Sequence, residues 1–233
     1  MKNLFTFFLV AGFLFVAYTT DSKGQDDCCG VGSIFSSLMQ SGIFGGYGVQ
    51  MYSAKGLNEE LPEGFKEYGT AMGWRVGANL IQLQREQLMM GLKFYYQQMT
   101  ETQHATGQEI QLDLKQWNLG MSFSYIISNS FDIRIFDAML SWTSAEVKNT
   151  GEGYDDIVFK SPEASIGFTA DAGVVYYPFP PYVSLEVLGG YSIFSIDKVN
   201  RESGQTGQST INDFVDGGGF FAVAVLTVGI PFN

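Results

Sequence analysis

The chain has 233 residues, 16% of them charged and 45% hydrophobic, with a formal net charge of −11. Soluble domains average about 25% charged residues, so this chain is charge-poor, yet its mean hydropathy of +0.05 is not that of a helical membrane bundle. The acidic balance argues against nucleic acid as a partner, because phosphate binding needs clustered lysine and arginine.

The chain opens MKNLFTFFLVAGFLFVAYTT. Lys2 supplies a charged start, and the apolar run Leu4–Tyr18 is shorter than the roughly 20 residues of a spanning helix. Residues 1–24 therefore read as a cleaved secretory signal, with Ser22 and Gly24 at the −3 and −1 positions before Gln25; an uncleaved anchor is the alternative. Cleavage removes Lys2, Lys23 and Asp21 and leaves the mature chain one unit more negative. No later segment approaches a spanning helix.

Residues 25–42 form a periplasmic segment on this reading. Asp26 and Asp27 precede Cys28 and Cys29, where a lipid-acceptor cysteine needs small apolar neighbours. A bridge between adjacent cysteines is strained, and two thiols with no nearby histidine make a poor metal site. The pair reads as free thiols, with an intermolecular bridge as the alternative. Val31, Ile34, Phe35 and Leu38 recur at helical spacing, which predicts a short helix across 31–42 at the inner mouth or on the membrane interface.

From residue 43 onward the period is two. Trp74, Val76, Ala78 and Leu80, then Leu88, Met90, Leu92, Phe94 and Tyr96, line one apolar face, and a helix here would carry Gly77 and Gly91 in its interior at about 1 kcal/mol each. The same alternation predicts eight strands at roughly 43–54, 68–83, 87–100, 108–127, 131–147, 161–177, 182–197 and 214–232. A phase switch between Ile133, Ile135 and Phe136, Leu140 predicts a bulge. Gly217–Gly219 reads as close packing or a bend in the last strand.

Connections alternate in length. Those at 84–86, 128–130 and 178–181 are short; those at 55–67, 101–107, 148–160 and 198–213 are longer and polar. Even strand number, alternating loop length and runs long enough to cross hydrocarbon at a tilt together predict an antiparallel, up-and-down, eight-stranded transmembrane barrel spanning 43–233. A soluble barrel would turn its apolar face inward; here the opposite face is rich in glycine and small residues, which suits a narrow interior. Trp74 and Trp117 would then mark one aromatic girdle, and Tyr125, Tyr176 and Tyr182 the other.

Arg75, Lys93, Asp132, Arg134, Asp171 and Glu186 fall on the inward rows. They predict a lumen charge network that plugs the barrel, since buried charges must find partners; an ion or proton path is the alternative. His104, the single histidine, falls in the second long connection near Glu101 and Thr106 and reads as a solvated loop residue. No metal spacing, phosphate loop or cofactor motif is present, and the chain is expected not to be an enzyme.

With strand count, loop alternation and the ending LTVGIPFN in view, residues 43–233 resemble the eight-stranded outer-membrane barrels, the OmpA-like and OmpX-like family. They look especially like the barrel-domain proteins of Bacteroidota envelopes, whose signal sites the Ser22-Lys23-Gly24/Gln25 junction also resembles. In that family the last strand ends in alternating apolar residues and a terminal aromatic read by the barrel-assembly machinery. Leu226, Val228, Ile230 and Phe232 match, and Asn233 departs from the pattern by one residue. The resemblance implies the outer membrane as location, with outer-membrane lipid, the assembly machinery and another envelope protein as partners. The expected role is structural or interactive, with a small pore or a lipid-modifying barrel enzyme as alternatives, because fold alone does not assign function.

Overall fold

The computed structural model describes residues 42–85, 87–105, 107–151, 156–180, 182–203 and 210–229. The signal segment, Cys28, Cys29, the 31–41 stretch read as helical, Thr106, Ile230 and Phe232 lie outside them. Within the described residues the alternating runs become β1 Gly42–Ser53, β2 Thr70–Arg85, β3 Leu88–Ala105, β4 Gln108–Ser128, β5 Phe131–Gly151, β6 Ile157–Lys160, β7 Ser165–Phe179, β8 Val183–Ile193, β9 Ile196–Ser203, β10 Thr210–Val215 and β11 Gly217–Gly229. One short helix, α1, spans Lys55–Glu59.

The strands β1, β2, β3, β4, β5, β7, β8 and β11 pair antiparallel in that order, and β11 returns to pair with β1. Eight staves thus close into a barrel, which leaves no free edge along the ring. The strands β6, β9 and β10 pair with one another and with the far end of β5, prolonging the wall at the long-loop end. They continue the courses of β7, β8 and β11; the predicted runs 182–197 and 214–232 are each interrupted, and β6 lies in the predicted connection 148–160. The break between β6 and β7 holds Pro162, which has no N–H for a ladder, and that between β10 and β11 falls at Asp216, beside three glycines.

Several predicted boundaries need correction. The connection at 101–107 is no long loop: β3 runs to Ala105 and pairs with β4 from Gln108, with Gly107 at φ +76° in the tight turn. A positive φ is easy for glycine and costly for residues with a Cβ. Likewise β5 reaches Gly151, and much of 198–213 is strand. These extensions are polar on the outer face, so the apolar alternation that marks the rest of the barrel stops before the strands do. The phase switch in β5 is a bulge: Ile135 and Phe136 both face outward between Arg134 and Asp137.

Outside, the wall is apolar. Ile43, Val76, Leu119, Ile133, Ile166, Val187, Phe220 and Leu226 are all 39–68% exposed. From Ile166 to Tyr176 along β7 this band is about 25 Å tall at a usual strand rise and tilt.

The inside is filled in two storeys. Toward the short turns it holds the charges, with a smaller apolar cluster of Phe44, Tyr95, Met139, Leu188, Phe221, Val223 and Val225 beside them. A ring of amides and hydroxyls follows: Gln97 Nε2 donates to Gln50 (3.1 Å) and Gln116 (2.6 Å), and Gln116 Nε2 donates to Thr143 (3.0 Å). One step further toward the long loops the inward residues turn apolar. Met99, Leu112, Leu114, Ala145, Val147, Val199 and Phe214 pack there into one buried cluster.

The first long connection closes this upper storey. Leu57 of α1 is buried in the apolar cluster, and α1 lies so close to β10 that a Cβ on Gly56 would sit 2.1 Å from the Asn212 carbonyl oxygen. Asn58 and Tyr68 exchange two hydrogen bonds, Nδ2 to carbonyl at 3.0 Å and N–H to Oδ1 at 2.7 Å. Glu101 Oε2 accepts from the Tyr52 hydroxyl (2.6 Å) and from the backbone N–H groups of Gly69 (3.1 Å) and Thr70 (2.9 Å). A carboxylate so used ties the loop to β3 more firmly than neutral acceptors would.

Candidate functional site

The charged storey is built by alternation: every second residue on β2, β3, β5, β7 and β8 points inward. Lys93 Nζ lies 2.9 Å from Asp137 Oδ2 and 3.9 Å from Glu186 Oε2. Arg134 Nη2 donates to Glu186 Oε2 at 3.0 Å, and its Nε lies 3.6 Å from Asp137 Oδ1. Thr227 donates to the other Glu186 oxygen at 2.9 Å. All four ionic side chains are 3% exposed or less. Buried charges persist only with such partners, since removing them from water costs several kcal/mol or more per ion.

The six inward ionisable residues read from the sequence separate into groups. Lys93, Arg134 and Glu186 meet around Asp137, an inward ionisable residue beyond those six. Arg75 stands apart: its guanidinium lies 4.7 Å over the Tyr95 ring and 5.3 Å over Phe221, and Nη2 donates to Gln97 at 3.2 Å. Asp171 is the cross-strand neighbour of Asp137, is 3% exposed, and accepts no hydrogen bond among the described residues. Asp132 sits nearer the short turns and accepts from the Tyr177 hydroxyl at 2.8 Å.

On the outer wall Tyr47, Trp74, Tyr96, Trp117 and Trp142 form one row across β1 to β5. Tyr47 faces Trp74, and Trp117 faces Trp142, in register. Ring centroids are 5.4 Å apart for Trp74–Tyr96 and 4.7 Å for Tyr96–Trp117. Tyr125, Tyr176 and Tyr182, each 40–51% exposed, lie at the short-turn end. Leu226 and Val228 face outward on β11.

Just beyond the aromatic row the outer face becomes ionic. Lys115 Nζ lies 2.6 Å from Glu146 Oε2, Lys148 Nζ lies 3.4 Å from Glu146 Oε1, and Lys160 pairs with Glu202 at 2.6 Å. Burial pushes the Glu146 carboxyl up, but the two ammonium groups outweigh it and hold the group below its ordinary value. His104 lies at the β3–β4 hairpin tip, exposed, with Nδ1 3.4 Å from Glu109 Oε2. It is therefore on a strand end rather than in a loop.

No family model matches the chain, and no curated protein matches it. Solved structures do. Neisserial surface protein A aligns over 82% of this chain and 97% of its own, with 17% identity and a TM-score of 0.50. The fold is that of an eight-stranded outer-membrane barrel. Ail, the attachment invasion locus protein of Yersinia pestis, aligns over 83% of this chain and 98% of its own at 12% identity and a TM-score of 0.42.

A third similar structure is the outer membrane protease OmpT of Escherichia coli, at 10% identity, 82% of this chain, 95% of its own and a TM-score of 0.41. It corrects the expectation that the chain is not an enzyme: barrels of this kind include a protease, so neither the architecture nor the missing motifs exclude catalysis. It assigns no reaction to this chain.

Proposed function

We propose that the protein is a closed outer-membrane barrel whose role is to present a folded, acidic rim to another component of the cell envelope. One observation supports this above the others: the lumen is obstructed by ions and amides in one storey and by an apolar core in the next. A pore needs a continuous wet path, and an apolar plug with strands, loop and helix packed into it does not supply one.

On the described part of the rim, the first long connection is ordered by α1, the Asn58–Tyr68 exchange and the Glu101 staple. Its exposed carboxylates, Glu59, Glu60, Glu63, Glu67, Asp197, Glu202, Asp213 and Asp216, outnumber the exposed lysines Lys55, Lys66 and Lys198, which suits a partner with a basic face. On this reading residues 1–24 direct export, the aromatic rows meet the lipid headgroups, and the β11 ending serves the assembly machinery.

Planar-bilayer recording tests the reading. The purified protein should insert without stable conductance steps. Sustained single-channel current from the native sequence would make it a transport protein instead.

A further inference from the structure

A cavity of about 320 Å³ opens at the opposite, short-turn end of the lumen. Asn79, Met89, Asp132, Arg134, Tyr177 and Glu186 are among its walls, and Asn129 and Pro180 of the short turns stand at its mouth. The chemistry of these walls is unbalanced. Asp132 is 2% exposed, yet among the described residues it accepts only the Tyr177 hydroxyl and no cation reaches it within ion-pair distance. Arg134, two residues away on the same inward row, is committed to Glu186 and Asp137. Asn79, 4% exposed on β2, offers a buried Oδ1 with no donor.

We propose that this mouth is a binding site for a cationic nitrogen group, a primary ammonium or a guanidinium, entering from the short-turn side. A buried carboxylate with no ion pair of its own among the described residues and a buried amide oxygen without a donor are both costly. A single group with several N–H donors and a positive charge satisfies both at once. The volume accommodates a lysine or arginine side chain or a free amine of that size. Residues 25–41 and 230–233, which flank the barrel in sequence, contain no lysine or arginine, and a cation brought by another molecule is the occupant proposed. This site is independent of the rim reading above, because it sits at the other end of the barrel.

The test uses the full protein in detergent micelles with 13C-labelled methionine methyl groups, Met89 being assigned by Met89→Leu. Cadaverine and an acetylated, amidated lysine tripeptide are titrated at constant ionic strength, with 1,5-pentanediol as the uncharged control. A saturable Met89 shift with an amine and none with the diol is expected, weakened about tenfold or more by Asp132→Asn. Asp132→Asn keeps the shape of the side chain and removes an uncompensated charge, so the barrel stays folded; Asn79→Val should weaken binding in the same direction. Saturation by cadaverine alone would identify a free amine as the guest, and saturation by the tripeptide a peptide side chain. No saturation with either, equal response to the diol, or unchanged affinity in Asp132→Asn overturns the proposal.

Discussion

Asp137 and Asp171 face each other across β5 and β7, equally buried and oppositely provided for. Asp137 holds Lys93 and Arg134; Asp171 holds nothing among the described residues. Neutralising the first leaves two buried cations to share the single carboxylate of Glu186, and breaking buried pairs typically costs about 3–5 kcal/mol. Neutralising the second removes an unpartnered charge beside a like charge, which should be neutral or stabilising by about 1 kcal/mol. Asp137→Asn is therefore expected to lower the urea midpoint of the folded barrel in detergent, and Asp171→Asn to leave it unchanged or raise it. Equal losses in both variants would contradict the arrangement. The inward position of Asp171 was legible from alternation alone, as were those of Arg75, Lys93 and Glu186. Asp137 was not, because the bulge at Ile135-Phe136 changes the parity of β5 just before it. The inward amides Gln50, Gln97 and Gln116 were equally missed: a neutral polar residue carries no signal that separates a lumen position from a rim position. Glu101 belongs with them, since its three donors come from the distant Tyr52, Gly69 and Thr70.

At the scale of elements, alternation works wherever one face meets lipid and fails where both faces leave it. Eight runs, their order and their antiparallel pairing were readable for that reason. The hairpin tip at 101–107, the far end of β5 and the β6–β9–β10 sheet were not, because there the outer face is polar and the inner face packs against an unforeseen core. Helix α1 was also hidden: five residues, KGLNE, are too few to show a period. Its anchor is Leu57, buried at 3% among Tyr52, Tyr68 and Phe214. Replacing a buried leucine with a charge forces that side chain out of the core. Leu57→Asp is expected to release residues 54–69 while the lower barrel stays paired. Trypsin should then cut at Lys55 or Lys66 at least about tenfold faster than in the native protein, with strand content by circular dichroism nearly unchanged. Cleavage at the native rate would mean that the loop is held by the Glu101 and Asn58 hydrogen bonds without help from the apolar core.

For the whole molecule, the governing fact is that the barrel is inverted relative to a soluble one. Inside the lipid-facing wall lies a buried charge network, large apolar side chains cover its outer face, and buried apolar clusters fill the long-loop storey and the space beside the charges. An apolar band of this extent is unfavourable in water and favourable in hydrocarbon, where a closed barrel satisfies every backbone group internally. The resemblance seen in the sequence reached the outer-membrane barrel architecture; it did not reach the upper storey, whose buried cluster gathers residues as distant as Leu57 and Phe214. The three tryptophans of the chain, Trp74, Trp117 and Trp142, stand in the outward row next to the ionic rim and report on the central claim without any mutation. Tryptophan fluorescence in bilayers, quenched in parallel by lipids brominated near the headgroup end of the acyl chain and by aqueous iodide, is the most direct measurement. Strong quenching by the brominated lipid and little by iodide is expected. Efficient iodide quenching with no response to the brominated lipid would contradict it.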